Sequence, residues 1–276
     1  MCIFGANIFV LIQTSILISV YKNVKALGLI LQSIALQSYL KDVEVIIAED
    51  NNGEEMRMAI ASWQQAFSFP IKHVCQPDEG FRKCKILNEA INNSLGDYLI
   101  FIDGDCLLHK HFIKAHLRTQ KIGHVVYGRR VMLSAHFTNL ILENTVLKPI
   151  RFFQLLWYKC ARLDAAFYNP FSKPKNKIGF WGHNWSIYRH DILGVGGFDE
   201  SYTDAGIGED TDIEWRLQMQ GIQFLRIKNK AIQYHLWHKA NYPDTAAVEA
   251  KLALKRREFS EGKTSVLIGP LINLER

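Results

Sequence analysis

Two aspartates separated by one glycine, Asp103-Gly104-Asp105, close an uninterrupted apolar run. Carboxylates this close together can hold a hard divalent cation and leave coordination positions open for phosphate oxygens. The same tripeptide also makes ordinary turns, so its place at the end of a strand is what singles it out. A second acidic group, Gly208-Glu209-Asp210, opens a helical pattern. Acids at a helix start complement its dipole. They also suit a general base with a neighbouring acceptor for a substrate hydroxyl. The third group is His235-x-x-His238, beside Tyr234 and Trp237. Such pairs are often structural, but an imidazole could complete the coordination of a metal already held by the aspartates.

These groups need elements to position them, and the hydrophobic periodicity supplies them. Residues 15–20, 43–48, 71–75 and 97–102 read as buried strands. Between them, 24–39, 56–67 and 82–93 read as helices, the first with Leu27, Ile30, Leu31 and Ile34 on one face and the last with Ile86, Leu87, Ala90 and Ile91. Strand and helix alternating through short loops predict an α/β fold with a mostly parallel central sheet flanked by helices. Ligands of such sheets lie outside the carboxyl ends of the strands, where Asp50, Asp103 and Asp105 all fall. Further on, the pattern predicts a basic helix near 110–121, a strand over 125–133, a helix from Glu209 stopped by Gly221, strands near 222–227 and 231–235, and a charged helical tail from 246. Neither a repeat nor a long linker divides the chain, which reads as one domain over 14–245 with a tail at 246–276.

Composition narrows the function classes. A chain of 276 residues with 48% hydrophobic and 22% charged residues can bury a core and is not disordered. Five scattered cysteines without a C-x-x-C pair argue against a disulfide framework or zinc ribbon and fit a reducing compartment. No G-x-G-x-x-G follows the first strand and no P-loop is present, which disfavours a dinucleotide dehydrogenase and a P-loop enzyme. The net charge of +6 is concentrated: ten Lys/Arg and one acid, Glu143, lie between Cys106 and Arg162. That stretch could be a solvated face, or could meet a phosphate substrate, an anionic membrane or nucleic acid. No nucleic-acid recognition module is visible, and the acidic groups would repel a phosphate backbone, so no nucleic-acid partner is expected.

The motifs, taken in order, resemble family 2 glycosyltransferases, which have the GT-A fold. The matching segments are Ser15-Ile-Leu-Ile-Ser-Val-Tyr21, Val45-Ile-Ile-Ala-Glu-Asp-Asn-Asn52, Asp78-Glu-Gly-Phe-Arg82, Asn88-Glu-Ala-Ile91 and Gly96-Asp-Tyr-Leu-Ile-Phe-Ile-Asp-Gly-Asp105. Gly182-His-Asn-Trp-Ser186, Gly197-Phe-Asp-Glu200, Gly208-Glu-Asp210 and Tyr234-His-Leu-Trp-His238 are similar to the C-terminal motifs of galactosyltransferases and bacterial chondroitin-type polymerases. The resemblance implies an inverting transferase with a nucleotide diphosphate sugar donor, often a UDP-sugar, and Mn²⁺ or Mg²⁺. It divides the domain into a donor half, 14–113, and an acceptor half, 114–245. By that resemblance Val20 and Tyr21 flank the base, Asp50 bonds uracil or ribose, and Arg82 lies near the diphosphate. Asp103 and Gly104 belong to the donor site, with Asp103 on ribose or metal. Asp105 ligates the metal, with His238 or His235 completing the shell. Trp181, His183, Asn184 and Glu209 meet the acceptor, and Asp210 is the base. Thr203-Asp-Ala-Gly-Ile207 stands where the family often has a tryptophan-glycine run, which leaves acceptor identity open.

The acceptor class implied is a glycan or lipid-linked glycan of cell-surface polysaccharide synthesis. A sugar-nucleotide hydrolase and a non-catalytic carbohydrate-binding protein are the competing classes. Residues 2–20 are uncharged but interrupted by polar side chains, with no basic flank or cleavage signal, so a cytoplasmic protein is expected. The segment Pro149-Ile-Arg-Phe-Phe-Gln-Leu-Leu-Trp-Tyr-Lys159 mixes aromatics with bases. It predicts peripheral contact with an anionic inner membrane face, or else packing in the core or the acceptor cleft.

Overall fold

Runs of β-branched and aliphatic residues become strands because the pleated, doubly covered interior of a sheet suits their stiff side chains. In the computed structural model, which describes residues 12–206, 208–239 and 245–261, these runs are β1 (Thr14–Val20), β2 (Val43–Glu49), β3 (Ile71–Cys75) and β4 (Tyr98–Asp103). They alternate with α1 (Val24–Ala35), α2 (Glu54–Ala66) and α3 (Lys83–Asn92). Asn23 caps α1 by accepting from the Ala26 N–H, and Leu27, Ile30, Leu31 and Ile34 are buried as their spacing predicts. The α1 helix ends at Ala35, short of the expected 39.

The second half runs β5 (Cys106–Leu108), α4 (Phe112–Thr119), β6 (His124–Tyr127), β7 (Arg129–Met132), α5 (Ala135–Leu142), α6 (Phe152–Trp157), β8 (Lys175–Asn176), β9 (Asn184–Tyr188), α7 (Arg189–Gly194), α8 (Glu209–Met219), β10 (Gln223–Arg226), β11 (Ile232–His235) and α9 (Thr245–Ser260). The predicted strand over 125–133 is two strands. The chain turns at Gly128, leaving β6 in the large sheet and β7 in a small one.

The large sheet has the order β3-β2-β1-β4-β9-β6-β10-β8, and the small one β5-β11-β7. The pairings of β3, β2, β1 and β4 are all parallel. β9 inserts antiparallel between β4 and β6. Register decides where the chemistry falls. Val20 pairs with Glu49 and Ser19 with Asp103, so the residues that follow β1, β2 and β4 emerge along one edge. Ile16, Ile18, Val45, Ile47, Ile100 and Ile102 are buried together on one face of these strands. Burying each is worth about 1.5–3 kcal/mol, so a one-residue slip that turned them outward would be prohibitive. In the small sheet His235 pairs with Cys106, which sets β11 beside the end of the Asp103-Gly104-Asp105 turn.

Candidate active site

The turn after β4 is tight because Gly104 lies directly under the end of β1. Its N–H donates to the Ser19 carbonyl at 2.7 Å. A Cβ at Gly104 would stand 2.8 Å from that carbonyl oxygen and 2.9 Å from Val20 Cβ. Glycine is therefore required, and it sends the two flanking carboxylates to different partners.

Asp105 meets both histidines of the third motif. Its Oδ2 is 3.2 Å from His235 Nε2 and 3.2 Å from His238 Nε2. One ligand atom from each of the three residues fits within a 4.8 Å cluster. Burial pushes the Asp105 carboxyl up, but hydrogen bonds with His235 and His238 outweigh it and hold the group well below the usual carboxylate range. The His238 imidazole is raised in return, chiefly by the same bond. His235 Nδ1 is buried without a hydrogen-bond partner, while its Nε2 faces the carboxylate.

Asp103 stands outside that cluster. Its Oδ1 accepts from Lys83 Nζ at 3.0 Å and from Ser19 Oγ at 3.2 Å, and Arg130 Nη1 lies 4.0 Å from Oδ2. Burial raises the Asp103 carboxyl, but the Lys83 charge and hydrogen bond, together with His183, bring it below the usual carboxylate range. Lys83 is held in its charged form: burial works against the charge, but Asp103, Asp210 and Glu209 together prevail.

A cavity of about 590 Å³ opens along this edge, lined by Val20, Tyr21, Asp50, Asp103, Gly104, Asp105 and His238 among others. Asp50 is fixed within it, accepting from Gln76 Nε2 at 2.6 Å and from the Arg82 N–H at 2.7 Å. Arg82 thus reaches the expected donor region through its backbone, and the cationic side chain in the cavity wall is Lys83. Lys83 and Arg130 escaped sequence reasoning. A usable signal was present in Lys83, because a lysine in the first turn of a helix opposes the dipole, at a cost of about 0.3–1 kcal/mol that needs a local reason.

The first turn of α8 carries Glu209 and Asp210. Burial first, and then Asp210, push the Glu209 carboxyl up to about 7. Asp210 is also raised by burial, against the opposing effects of Lys83 and the Gly182 N–H. That N–H donates to Asp210 Oδ2 at 2.8 Å, and a Cβ at Gly182 would fall 2.1 Å from Oδ1. The segment before β9 is pinned on both sides: Glu214 Oε2 accepts from Gly179 and Phe180, and Trp185 Nε1 donates to the Gly182 carbonyl.

The residues expected on the acceptor side divide. Trp181 is exposed, with the Arg129 and Arg162 guanidinium groups over its ring. His183 is buried against Gln233, and burial together with the Arg130 charge lowers its imidazole to about 3. Asn184 is fully buried, its Nδ2 donating to the carbonyls of Arg129 and Ala231 and its Oδ1 accepting from Gly128. Its amide braces the junction of β6, β7 and β9. Both side chains therefore hold the loop that carries Trp181 and Gly182.

Residues 15–193 match the family model described as glycosyl transferase family 2. The chain belongs to this family. Its similarity to the chondroitin synthase of Escherichia coli is 21% identity over 80% of this chain and 34% of that protein. To the validoxylamine A glucosyltransferase of Streptomyces hygroscopicus it is 26% identity over 75% of this chain and 52% of that protein. The chain therefore spans about a third and about half of these two relatives. The fold is shared with a Pyrobaculum calidifontis mannosyltransferase solved with GDP-Man and Mn²⁺, at TM-score 0.60 and 16% identity over 92% of this chain and 65% of that one. It is shared too with GalNAc-T7 solved with UDP, GalNAc and Mn²⁺, at TM-score 0.63 and 12% identity over 95% and 53%. This is the GT-A fold that the motif order implied. Among the described residues no helix is long and apolar enough to cross a membrane.

Proposed function

We propose that this family 2 member transfers a glycosyl residue, with inversion, from a nucleoside diphosphate sugar of the UDP class to a hydroxyl of a glycan or lipid-linked glycan in cell-surface polysaccharide synthesis. The observation that carries the reading is the meeting of Asp105 with His235 and His238 beside a cavity lined by Asp50, Asp103, Asp105 and His238. Residues 14–113 serve the donor and 114–245 the acceptor.

Val20 and Tyr21 flank the base, and Asp50, braced by Gln76 and the Arg82 N–H, takes the uracil or ribose. Asp105, His235 and His238 would hold a divalent metal, which supplies positive charge to a departing diphosphate. One carboxylate with two imidazoles suits Mn²⁺ better than Mg²⁺, which favours oxygen ligands. Lys83 contributes a fixed cation beside the same phosphates, where it would stabilise the negative charge of the departing diphosphate. Asp210, held by the Gly182 N–H, removes the acceptor hydroxyl proton while Glu209 orients that hydroxyl.

Peripheral membrane contact on the cytoplasmic side is the second part of the reading. In α6 only Leu155 is buried. Phe153, Leu156 and Trp157 are exposed, near exposed Lys148, Arg151 and Lys159. Apolar rings flanked by bases suit an anionic headgroup plane.

A thermal-shift series of nucleotide sugars with and without Mn²⁺ tests the donor reading, since a ligand of the folded state raises the melting temperature by mass action. The expected result is a Mn²⁺-dependent shift with a UDP-sugar in the native chain and none in Asp105→Ala. Equal shifts in both, or none in either, would remove the donor reading.

A further inference from the structure

Trp181 carries two positive groups on one ring. The Arg129 guanidinium lies 4.8 Å from the ring centroid and that of Arg162 lies 4.7 Å away. Each contact is favourable by itself, because the ring face is electron-rich. Bringing two cations to one ring also sets them against each other, a repulsion that an anion between them would relieve. Arg226 adds to the repulsion, acting on Arg129 together with Arg162.

The acids near this group hydrogen-bond elsewhere, although Glu214 also acts on Arg129 and Asp164 on Arg162 through space. Glu214 accepts the N–H groups of Gly179 and Phe180 at 2.7 and 2.6 Å. Asp164 is paired with Lys228. Arg129 donates through Nη2 to the Gly179 carbonyl at 2.7 Å, while its Nη1 is buried with no hydrogen-bond partner. Arg162 is exposed and sits at φ +55°, a left-handed conformation that non-glycine residues seldom adopt without a reason. Such outliers concentrate where a side chain must be aimed.

Trp181 is also next in the chain to Gly182, whose N–H holds Asp210. The positive cluster is thus carried by the residue next in sequence to the one that holds the base. The planar fork of a guanidinium matches the two oxygens of a carboxylate or phosphate.

We propose that the acceptor sugar carries an anionic substituent, a carboxylate or a phosphate ester, read by Arg162 with Arg129 around Trp181. This rests on the acceptor-side placement of Trp181 given above. It adds a substrate class: an acidic glycan, with the charge on or next to the residue that receives the transferred sugar.

Titration calorimetry on the full chain compares methyl glucuronide, a hexose phosphate, methyl glucoside and inorganic phosphate, with UDP plus Mn²⁺ as a separate titration. One of the two anionic sugars should bind at least about tenfold more tightly than methyl glucoside, the scale of one charge-assisted pair. Which of them does so separates carboxylate from phosphate recognition. Arg162→Gln should erase most of that preference and leave the UDP titration unchanged, and Arg162→Lys should retain part of it. Methyl glucoside binding as well as both acidic sugars, none of the three sugars binding, inorganic phosphate binding as tightly as the hexose phosphate, or a preference that survives Arg162→Gln would each overturn the proposal. Loss of UDP binding alone would count against the transferase reading and leave the sugar comparison standing.

Discussion

Lys83 Nζ sits 3.0 Å from Asp103 Oδ1, and its charge also acts on Glu209 and Asp210, so one half-buried lysine links the end of β4 to the first turn of α8. Removing that charge leaves Asp210 with burial and its acidic neighbours, and its carboxyl rises further. A base must be ionised to act, so the acidic limb of the pH–rate profile should move to higher pH in Lys83→Met. Lys83→Arg should hold it near its native position. Measuring kcat against pH for the three proteins decides the matter, and an unshifted limb in Lys83→Met would detach Lys83 from the base.

Glu209 gives a pH effect on stability whose sign is fixed by its shift. Its carboxyl is pushed from the ordinary 4.5 up to about 7, so the folded protein holds this proton more tightly than the unfolded chain. The resulting stabilisation is fully present below 4.5 and is lost as pH rises toward about 7. Melting temperatures across that interval should contain a falling component that Glu209→Gln removes. Parallel curves for the two proteins would show that the carboxyl titrates normally.

Gly182→Ala should act through the base without touching the donor. A Cβ there falls 2.1 Å from Asp210 Oδ1, so the carboxylate or the loop must move. Misplacement of about 1 Å can cost about 10²-fold in turnover. The expected result is a loss of that order in kcat with nucleotide affinity unchanged. Native turnover in Gly182→Ala would mean that Asp210 does not need its present position.

How far the sequence carried this reading depended on whether a feature was local. β1, β2 and β4 were legible because each is a continuous apolar run, and α1 and α3 because their buried faces repeat at the helical period. β9 was not, because Asn184–Tyr188 is a short alternating stretch whose place between β4 and β6 is set by distant strands. The break at Gly128 was hidden inside what looked like one strand. His235 and His238 were visible as a pair, but their meeting with Asp105 depends on β5 pairing with β11. His183 and Asn184 carried the motif letters, and the sequence did not show that both side chains are buried. A motif match does not tell a contact residue from the residue that braces it.

The α6 surface yields a separate test. Exposed Phe153, Leu156 and Trp157 among bases should bring the protein down with anionic vesicles in a sedimentation assay at low salt, each nearby Lys or Arg contributing about 1 kcal/mol. Binding should fade as salt rises and should be weakened by Trp157→Ser. Sedimentation no better with anionic than with neutral vesicles would leave α6 as a solvated face.

The most direct measurement follows sugar transfer and nucleotide release together, with and without a glycan acceptor, in the native chain and in Asp210→Asn. The account expects the acceptor to gain one glycosyl residue for each nucleoside diphosphate released in the native protein. It expects a fall of about 10²-fold or more in Asp210→Asn with donor affinity retained, as for a lost general base. Nucleotide release at the same rate without acceptor, with no glycosylated product, would make this a hydrolase. Full transfer by Asp210→Asn would contradict the account at its centre.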